Sequence, residues 1–370
     1  MKIWQDSFPF TPEHPIIEML FTSSTLFLDI ETTGFSSTYT KIYMIGCATR
    51  LDNHICITQF FAEHPQEEGS ILAAFLELYS QYDTLITFHG LGFDIPYLKK
   101  RCAYYKLSEH LDTFYHIDLF KRLYPLKSIL KLENLKQKTL ETFLEITRKD
   151  SYSGKELISI YLDYVNQPTE TMCSLLKLHN YEDILGMLKL LPALSYQELF
   201  QGNFEAISFE KNFFYTYDNN CELELLLTLQ TEFPLPKRIS FEKDGIYLIG
   251  CKQQAKLKVN FYQGELKYFY PNYKDYYYLP AEDMAIHKSV ASYVDKNYRT
   301  KATASTCYIK KSDCFFLPQY KELFSPCFKK NYSDKKTYFE LTDNFINSLE
   351  HQKTYALHLL QYFMDKTTID

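Results

Sequence analysis

The sequence predicts an α/β protein, in which a mixed sheet is flanked by helices and a smaller β-rich region follows. Three observations favour this fold class. Short apolar runs bounded by turn residues occur early, and helical segments separate and follow them. After about residue 200 the pattern changes to alternating strands joined by Gly, Asn and Asp turns. The length of 370 residues also suits two domains.

Three strands are predicted at the start of the sheet. "TLFLDI" (25–30) is short and apolar and lies between turn residues, which is typical of a buried strand. "KIYMIGCATR" (41–50) and "HICITQFFA" (54–62) follow at hairpin-like spacing, with "LDN" as the turn between them. We therefore expect three antiparallel neighbours.

Helices and further strands are predicted up to residue 194. "EEGSILAAFLELYSQY" (67–82) has helical apolar spacing, and "TLITFHG" (84–90) is a fourth strand. A helix is expected at 94–105, where Pro96 is tolerated because the first helical turn needs no amide donor. "HIDLFKRL" (116–123) is a short strand or the start of a helix. Further helices are expected at 132–146, 154–166, 169–178 and 180–194.

The predicted domains are an extended lead-in over residues 1–20, an α/β domain over 21–198 and a β-rich α+β domain of unknown role over 199–370. Within the last, "MAIHKSVASYVDKNYR" (284–299) is predicted to be a helix. Residues 296–336 hold ten Lys or Arg and three Asp or Glu, interleaved with Tyr and Phe. This composition suits a nucleic-acid surface, and the alternative is the solvated face of a small β domain.

The composition argues against three classes of protein: those that coat nucleic acid, those with a structural zinc site and those that span a membrane. The formal net charge is -6, so no global basic field indicates a protein that coats nucleic acid. The nine cysteines include no CxxC pair and fit no zinc pattern, and no segment approaches the roughly 20 apolar residues of a membrane span. We expect reduced thiols, no signal peptide, no membrane contact and a cytoplasmic protein.

Two acids, Asp29 and Glu31, lie inside the apolar run "LFLDIETTGF". Side chains of a strand alternate with period two, so both carboxylates lie on one face of the predicted strand. Burying two like charges without a counter-charge is unfavourable, whereas a divalent cation such as Mg²⁺ takes carboxylate ligands readily. The pair therefore predicts half of a metal site; the alternative is two exposed acids on an edge strand.

Three segments resemble the motifs of the DEDD superfamily of 3'-5' exonucleases, which have a ribonuclease H-like fold. "DIETTG" resembles the first motif, and "TFHGLGFDIPYLKKRC" resembles the second through Asp94, with His89 where the family usually has Asn. "LHNYEDILGMLKLL" is similar to the third motif through Asp183. Four residues before this acid the family has Tyr in one subtype, whereas this sequence has His179. Residues 21–195 are most similar to the YprB-like ribonuclease H-like family.

The resemblance implies phosphodiester hydrolysis with two divalent cations, Mg²⁺ or Mn²⁺, about 4 Å apart. It implies that Asp29 bridges both ions, that Glu31 and Asp183 hold the ion that activates water, and that Asp94 supports the other ion. His179 is expected to position the nucleophilic water, since it lies on the same helical face as Asp183. Tyr181 is expected to face elsewhere on the helix.

Substrate contacts are expected from residues near the first two motifs, namely Thr32, Thr33, Gly34, His89 and Phe93. Alternatives stay open for two of them: Phe93 as a core residue and His89 as a hydrogen-bonded structural histidine. Asp118 is expected to be structural rather than a metal ligand. Arg148 and Lys149 are expected to be a solvated helix end rather than phosphate contacts.

Two functions compete. The first is a metal-dependent 3'-5' exonuclease acting on single-stranded or frayed 3' ends of DNA or RNA. The second is a catalytically weak ribonuclease H-like module that binds nucleic acid or another protein. Four mutually repelling carboxylates favour the first, and the His in place of Tyr keeps the second open. No feature distinguishes DNA from RNA, and protein partners and oligomeric state stay undetermined.

Overall fold

A computed structural model describes residues 1–215, 217–219 and 221–365 of the chain, which form two compact units. The first unit is Met1–Glu198 with Phe233–Lys237, and the second is Leu199–Glu232 with Arg238–Asp370. Residues 216, 220 and 366–370 of the predicted 199–370 domain lie outside the described part. Among the described residues, no helix has the length and apolar character needed to cross a membrane.

A six-stranded mixed sheet forms the centre of the first unit. Its strands are β1 (Lys2–Pro9), β2 (Thr25–Thr32), β3 (Ile42–Leu51), β4 (His54–Phe61), β5 (Thr84–Thr87) and β6 (Tyr115–Asp118). The strand order is β1-β4-β3-β2-β5-β6. The pairs from β1 to β2 are antiparallel, whereas β5 pairs with both β2 and β6 in parallel.

Helices cover both faces of this sheet. They are α1 (Pro15–Leu20), α2 (Glu68–Tyr79), α3 (Asp94–Tyr104), α4 (Leu119–Leu123), α5 (Gln137–Phe143), α6 (Gly154–Asn166), α7 (Glu170–Leu190) and α8 (Leu194–Gln201). Leu28 and Ile30 of β2 pack on the side of α2 and α3, where Phe75 and Leu98 complete one core. Tyr43 and Tyr161, whose rings stack at 4.2 Å, belong to the core on the side of α6 and α7.

The predicted fold class is confirmed, with three corrections to individual elements of the first unit. Residues 1–20 are extended only in part, because β1 is an edge strand of the sheet and the helix α1 follows it. The side chain of Trp4 in β1 stacks on Phe61 of β4 at 5.3 Å. The predicted helices at 169–178 and 180–194 are one helix, α7, and the helix predicted at 132–146 is limited to α5.

The second unit is rich in antiparallel β structure. Its strands are β7 (Phe204–Tyr215), β8 (Cys221–Lys243), β9 (Ile246–Asn260), β10 (Tyr262–Gln263), β11 (Leu266–Phe269), β12 (Tyr276–Leu279), β13 (Met284–His287), β14 (Thr300–Lys301), β15 (Tyr308–Lys311), β16 (Phe315–Gln319) and β17 (Thr337–Glu340). They form sheets in the orders β7-β8-β9, β10-β16-β17, β11-β15 and β13-β12-β14. The described helices are α9 (Lys288–Ala291), α10 (Asp343–Ile346) and α11 (Leu349–Met364).

The helix predicted at 284–299 is wrong. Its first residues form β13, which pairs with β12 so that Ala285 lies opposite Tyr278 and is buried. Only the four residues of α9 are helical before Asp295 caps a short 3₁₀ turn. Tertiary pairing with a neighbouring strand therefore overrides the local helical spacing.

Candidate active site

Strand β2 carries Asp29 and Glu31 towards helix α7. The intervening residues Leu28 and Ile30 enter the core on the opposite side of the sheet, as the period of two requires. Asp29 and Glu31 are partly buried, and both contact side chains of α7. The two carboxylates therefore share one face of the sheet, as the sequence predicts.

An amide side chain holds Asp29. Asn180 of α7 donates a hydrogen bond of 2.8 Å to Oδ2 of Asp29. Gln59 of β4 in turn donates to Oδ1 of Asn180 at 2.9 Å, which fixes the orientation of the amide. Gly46, the partner of Asp29 in β3, makes room for this arrangement, since a Cβ there would lie 2.1 Å from Oδ1 of Asn180. None of these three residues is among those that the sequence predicts for the site.

Asp94 joins the cluster from the start of α3. Its carboxylate is buried, and Oδ1 accepts a hydrogen bond of 3.2 Å from the backbone amide of Ile30, between the two acids of β2. The second predicted motif therefore lies directly beside the first.

The acids affect one another's protonation. Burial, and then the charges of Asp183, Glu31 and Asp94, raise the pKa of Asp29 well above its ordinary value. Burial also raises the pKa of Glu31 to about 7, against the lowering effect of His179. Burial raises the pKa of Asp94 to about 7, although the amide hydrogen bond from Ile30 opposes the rise. All four predicted acids thus lie within electrostatic range of one another.

His179 faces the acids from helix α7. Its Nε2 lies 3.2 Å from Oδ2 of Asp183, one helical turn further on, and 3.5 Å from Oε1 of Glu31. Its Nδ1 lies 2.7 Å from Oδ2 of Asp150, a buried acid just before α6. Asp150 therefore orients the imidazole so that Nε2 points into the acid cluster. Tyr181 lies on another face of α7, where it lines a surface cavity with Asp6.

Arg148 is not at a solvated helix end, so this prediction is wrong. Its side chain is 9% exposed, and Nη1 lies 2.6 Å from Oδ1 of Asp183 and 3.2 Å from Glu141. Asp150 and Glu182 complete its surroundings at 3.5 and 3.8 Å. The loop after α5 carries the guanidinium inward, and 35 residues separate it from Asp183, so its partners could not be inferred from sequence spacing. Lys149, in contrast, is exposed as expected.

The predicted substrate residues after β2 form a hydrogen-bonded loop. The hydroxyl of Thr32 donates to the carbonyl of Gly34 at 2.9 Å, and Thr33 exchanges hydrogen bonds with the backbone of Lys41. A Cβ on Gly34 would lie 2.8 Å from the methyl group of Thr40, so close approach requires glycine there. The loop is thus fixed in place beside Glu31.

His89 and Phe93 lie in the segment between β5 and α3. His89 has a left-handed backbone (φ 66°), and its exposed ring packs edge-on against Phe120 at 4.5 Å. Asp118 accepts the amide protons of His89 and Leu91 and caps α4, so its structural role agrees with expectation. Phe93 is half-buried against the core, and its ring lies 6.3 Å from the exposed ring of Phe35.

The donor set suits a divalent cation. Ligand atoms of Glu31, His179 and Asp183 all lie within 4.8 Å of one another. Asp29 and Asp94 lie outside this group but close enough to influence each other's charge and that of Asp183. Carboxylates are the ligands that Mg²⁺ and Mn²⁺ prefer. Burial, and after it the charges of neighbouring acids, raise the pKa values of Asp29, Glu31 and Asp94, and a bound cation would favour the ionised forms.

The comparisons with known proteins agree with this fold. Residues 26–195 match the model of a family described as belonging to the RNase H superfamily, which covers just under half of the chain. No curated protein matches. The sheet and the match together define the first unit as a ribonuclease H-like domain.

Solved structures with some similarity include two kinds of enzyme. The family B DNA polymerase of Pyrobaculum calidifontis is 16% identical with a TM-score of 0.36, over 47% of this chain and 25% of the polymerase. E. coli exonuclease I in complex with a dT13 oligonucleotide is 10% identical with a TM-score of 0.30, over 56% of this chain and 55% of that chain. This chain thus spans about a quarter of the polymerase and about half of exonuclease I. Similarity at this level does not bear on activity.

Proposed function

We propose that this chain is a metal-dependent 3'-5' exonuclease of the DEDD type, related to the YprB-like proteins, that acts on single-stranded or frayed ends of DNA or RNA. The observation that carries the proposal is the convergence of Asp29, Glu31, Asp94 and Asp183, with His179 facing them. A domain that only binds nucleic acid has no need for four mutually repelling acids.

The four acids would hold two divalent cations, Mg²⁺ or Mn²⁺. The ions would supply stabilisation of the charge that develops on the phosphate oxygens. Asn180 and the amide of Ile30 keep the carboxylates of Asp29 and Asp94 oriented in this cluster. These two neutral donors supply direction without neutralising the charge that would bind the ions.

His179 would position the attacking water and accept its proton. Because Asp150 accepts a hydrogen bond from Nδ1, the neutral ring carries its lone pair on Nε2, which faces Glu31 and Asp183. This is the geometry of a histidine general base held by a carboxylate. His179 would thereby position the water at the place where one subtype of the DEDD superfamily has tyrosine.

The terminal nucleotide would lie against the two segments that border the acids. Thr32, Thr33 and Gly34 would contact it chiefly through backbone groups, because the hydroxyls of both threonines already form hydrogen bonds. His89 and Phe93 would contact it from the segment between β5 and α3. The exposed ring of Phe35 beside Phe93 adds a surface on which a base can stack. We also propose a cytoplasmic location, on the basis of the nine free cysteines.

Hydrolysis of end-defined strands tests the proposal. A 5'-labelled single strand should be shortened stepwise from its 3' end in Mn²⁺ or Mg²⁺ and stay intact in EDTA. A 3'-blocked strand and a circular single strand serve as controls for direction and for internal cleavage. Asp29→Asn should abolish the activity while the circular dichroism spectrum stays that of the wild type. If the wild-type protein hydrolyses no strand between pH 6 and 9 with either metal, the proposed exonuclease activity is refuted.

One observation favours a second function, a catalytically weak nucleic-acid-binding module. Arg148 lies 2.6 Å from Asp183, so a protein cation already neutralises part of one proposed metal ligand. Under this alternative the chain would bind single strands equally well in EDTA and in Mn²⁺ and would never shorten them. The same hydrolysis assay, read beside a binding measurement, separates the two functions.

A further inference from the structure

Five side chains of the second unit form a continuous row of lysine and tyrosine. The amine of Lys330 lies 4.4 Å from the ring centre of Tyr262, whose ring lies 5.3 Å from that of Tyr338. The amine of Lys336 follows, 5.6 Å from the ring of Tyr338 and 5.5 Å from that of Tyr320. We call these five residues the lysine–tyrosine row. Ammonium groups at such distances are stabilised by the faces of the rings.

The two amines of the row differ from other lysines of this unit. Lys310 lies 2.6 Å from Asp283, and Lys311 lies 2.5 Å from Glu340, so both have a carboxylate partner. Within the described ranges, no carboxylate lies within 4 Å of the amine of Lys330 or Lys336. The aromatic rings hold these two amines in place and leave their N–H groups available to an anion.

Two acids lie near the row, and each accepts a hydrogen bond from a neutral group. Asp244 accepts a hydrogen bond from the hydroxyl of Tyr362, and Asp334 accepts one of 2.8 Å from the amide of Asn331. The surrounding segment 296–336 carries ten Lys or Arg against three Asp or Glu. An anionic partner is therefore complementary to this surface in charge.

A small cavity lies beside the row. Lys336, Tyr262 and Tyr338 line it together with Asp244, and its volume is about 180 Å³. Sites for drug-sized ligands typically measure roughly 300–1,000 Å³, so this cavity suits one phosphate group better than a whole nucleotide. Burial lowers the pKa of Lys336, against the influence of Asp244, as expected for an amine whose water has been displaced without a counter-ion.

We propose that the lysine–tyrosine row binds single-stranded nucleic acid, with Lys330 and Lys336 each contacting a backbone phosphate and the partly exposed ring of Tyr262 contacting an unstacked base. The ring of Tyr338 is buried in the core and supports Tyr262 and Lys336 from below. Aromatic contacts favour single strands, because a duplex hides the faces of its bases. The inference rests on the proposed function in taking nucleic acid as the ligand. It concerns binding alone, however, and does not require that the strand be cut.

Binding in EDTA tests the row without hydrolysis. Anisotropy of a fluorescein-labelled dT20 strand is followed across a salt series for the wild type, for Lys330→Gln with Lys336→Gln, and for Lys310→Gln with Lys311→Gln. The first pair should weaken binding at least tenfold and lower the salt slope by about 1.4, since each single-strand phosphate contact contributes about 0.7. The second pair removes the same charge and should weaken binding less than threefold. Equal effects of the two pairs, or no effect of the first, would overturn the proposal.

A second measurement uses the unaltered protein, so it does not depend on how the variants fold. A strand carrying 5-iodouracil, irradiated on the wild-type chain in EDTA, should cross-link to Tyr262, the partly exposed ring of the row, as identified by mass spectrometry. Cross-links that lie only outside the row would overturn the proposal. Displacement of dT20 by polyglutamate at equal charge, or by thymidine monophosphate at equal nucleotide concentration, would overturn it too. These outcomes would assign the row to an acidic protein or to a free nucleotide.

The binding and hydrolysis results are independent of each other. Hydrolysis without binding at the lysine–tyrosine row would support the proposed exonuclease function and contradict the proposed role of the row. Binding at the row without hydrolysis in any metal would support the proposed role of the row and contradict the proposed exonuclease function.

Discussion

The acid cluster has two sides, Asp29 with Asp94 on one and Asp183 on the other, and the protein holds their carboxylates in different ways. The hydrogen bonds that described residues donate to the Asp29 and Asp94 carboxylates come from neutral groups, the side-chain amide of Asn180 and the backbone amide of Ile30. Asp183, in contrast, contacts the guanidinium of Arg148 and the imidazole of His179. Neutral donors orient a carboxylate without cancelling its charge. Arg148, in contrast, both orients the carboxylate of Asp183 and cancels part of its charge.

This difference indicates where an external cation is most needed. The pKa values of Asp29 and Asp94 are raised by burial and by neighbouring acids, so their ionised forms are unfavourable in the metal-free protein. The protein itself supplies a cation at Asp183. We therefore expect metal to matter most for the Asp29 side, and the protein's own cation and histidine to matter most for the Asp183 side.

On the Asp183 side, the largest expected effect is that of removing His179. His179→Ala should lower the rate of strand hydrolysis by about 10²- to 10⁴-fold, the usual contribution of a positioned general base. Tyr181→Ala is a matched control, because Tyr181 lies on the same helix but lines a different surface. The measurement is the initial rate on a 5'-labelled strand in Mn²⁺. A His179→Ala rate within threefold of that of Tyr181→Ala would contradict the proposed role.

The next largest effect is on stability, and it tests whether the guanidinium of Arg148 stabilises the acids around Asp183. Arg148→Met leaves Asp183, Glu141 and Asp150 without their shared guanidinium, which should lower the free energy of unfolding by about 3–5 kcal/mol. The adjacent Lys149→Met removes the same charge from an exposed side chain and should change it by less than about 0.5 kcal/mol. Urea titration followed by circular dichroism gives both values. Equal stability of the two variants would show that the buried contacts contribute nothing.

The comparison also explains how far the sequence could predict this site. Asp29 and Glu31 follow from the period of a strand, and His179 and Asp183 share a helical face because they are four residues apart. Asp94 could be placed only through its resemblance to a known motif. These residues come together in the structure because each lies on a regular element whose geometry is local.

Other parts of the site depend on tertiary packing and could not be predicted. Arg148 and Asp150 lie in a loop whose course follows from the packing of α5 on α7. That packing requires Gly186, since a Cβ there would lie 2.0 Å from Oε1 of Glu141. Gly46 was the available signal for Asn180, because a glycine inside a strand indicates close approach of another group. In the second unit, pairing with β12 decided the conformation of residues 284–287.

The third prediction tests the buried acids of the cluster through pH. A carboxylic acid whose pKa is higher in the folded state stabilises the fold below its unfolded pKa, and this contribution is lost as pH rises through the folded value. Glu31 has a folded pKa of about 7 against an ordinary value of 4.5, so it alone contributes on the order of 3 kcal/mol. Stability of the metal-free protein should therefore fall between about pH 4 and pH 8.

Divalent cations should reverse this loss. Thermal unfolding is measured in EDTA and in Mn²⁺ at pH 5.5 and pH 8, and the gain in Tm from Mn²⁺ should be larger at pH 8, where the acids are ionised. Asp29→Asn combined with Glu31→Gln should flatten the pH dependence in EDTA and reduce the gain from Mn²⁺. An equal gain at both pH values would contradict a site built from these acids.

The smallest expected effect concerns the support of Asp29. Gly46→Ala would place a Cβ 2.1 Å from Oδ1 of Asn180, so the amide must move and Asp29 loses its donor. Overpacking of this kind typically costs about 1–3 kcal/mol. Gly154→Ala is the matched control, because a Cβ at this first residue of α6 meets no atom within 4 Å. Its effect should be within about 0.5 kcal/mol, or slightly stabilising. Because Asn180 orients Asp29 without neutralising it, Gly46→Ala should also weaken Mn²⁺ binding, whereas Gly154→Ala should leave it unchanged. Calorimetry measures both affinities. Equal Mn²⁺ affinity in the two variants would mean that Asp29 does not need Asn180 for metal binding.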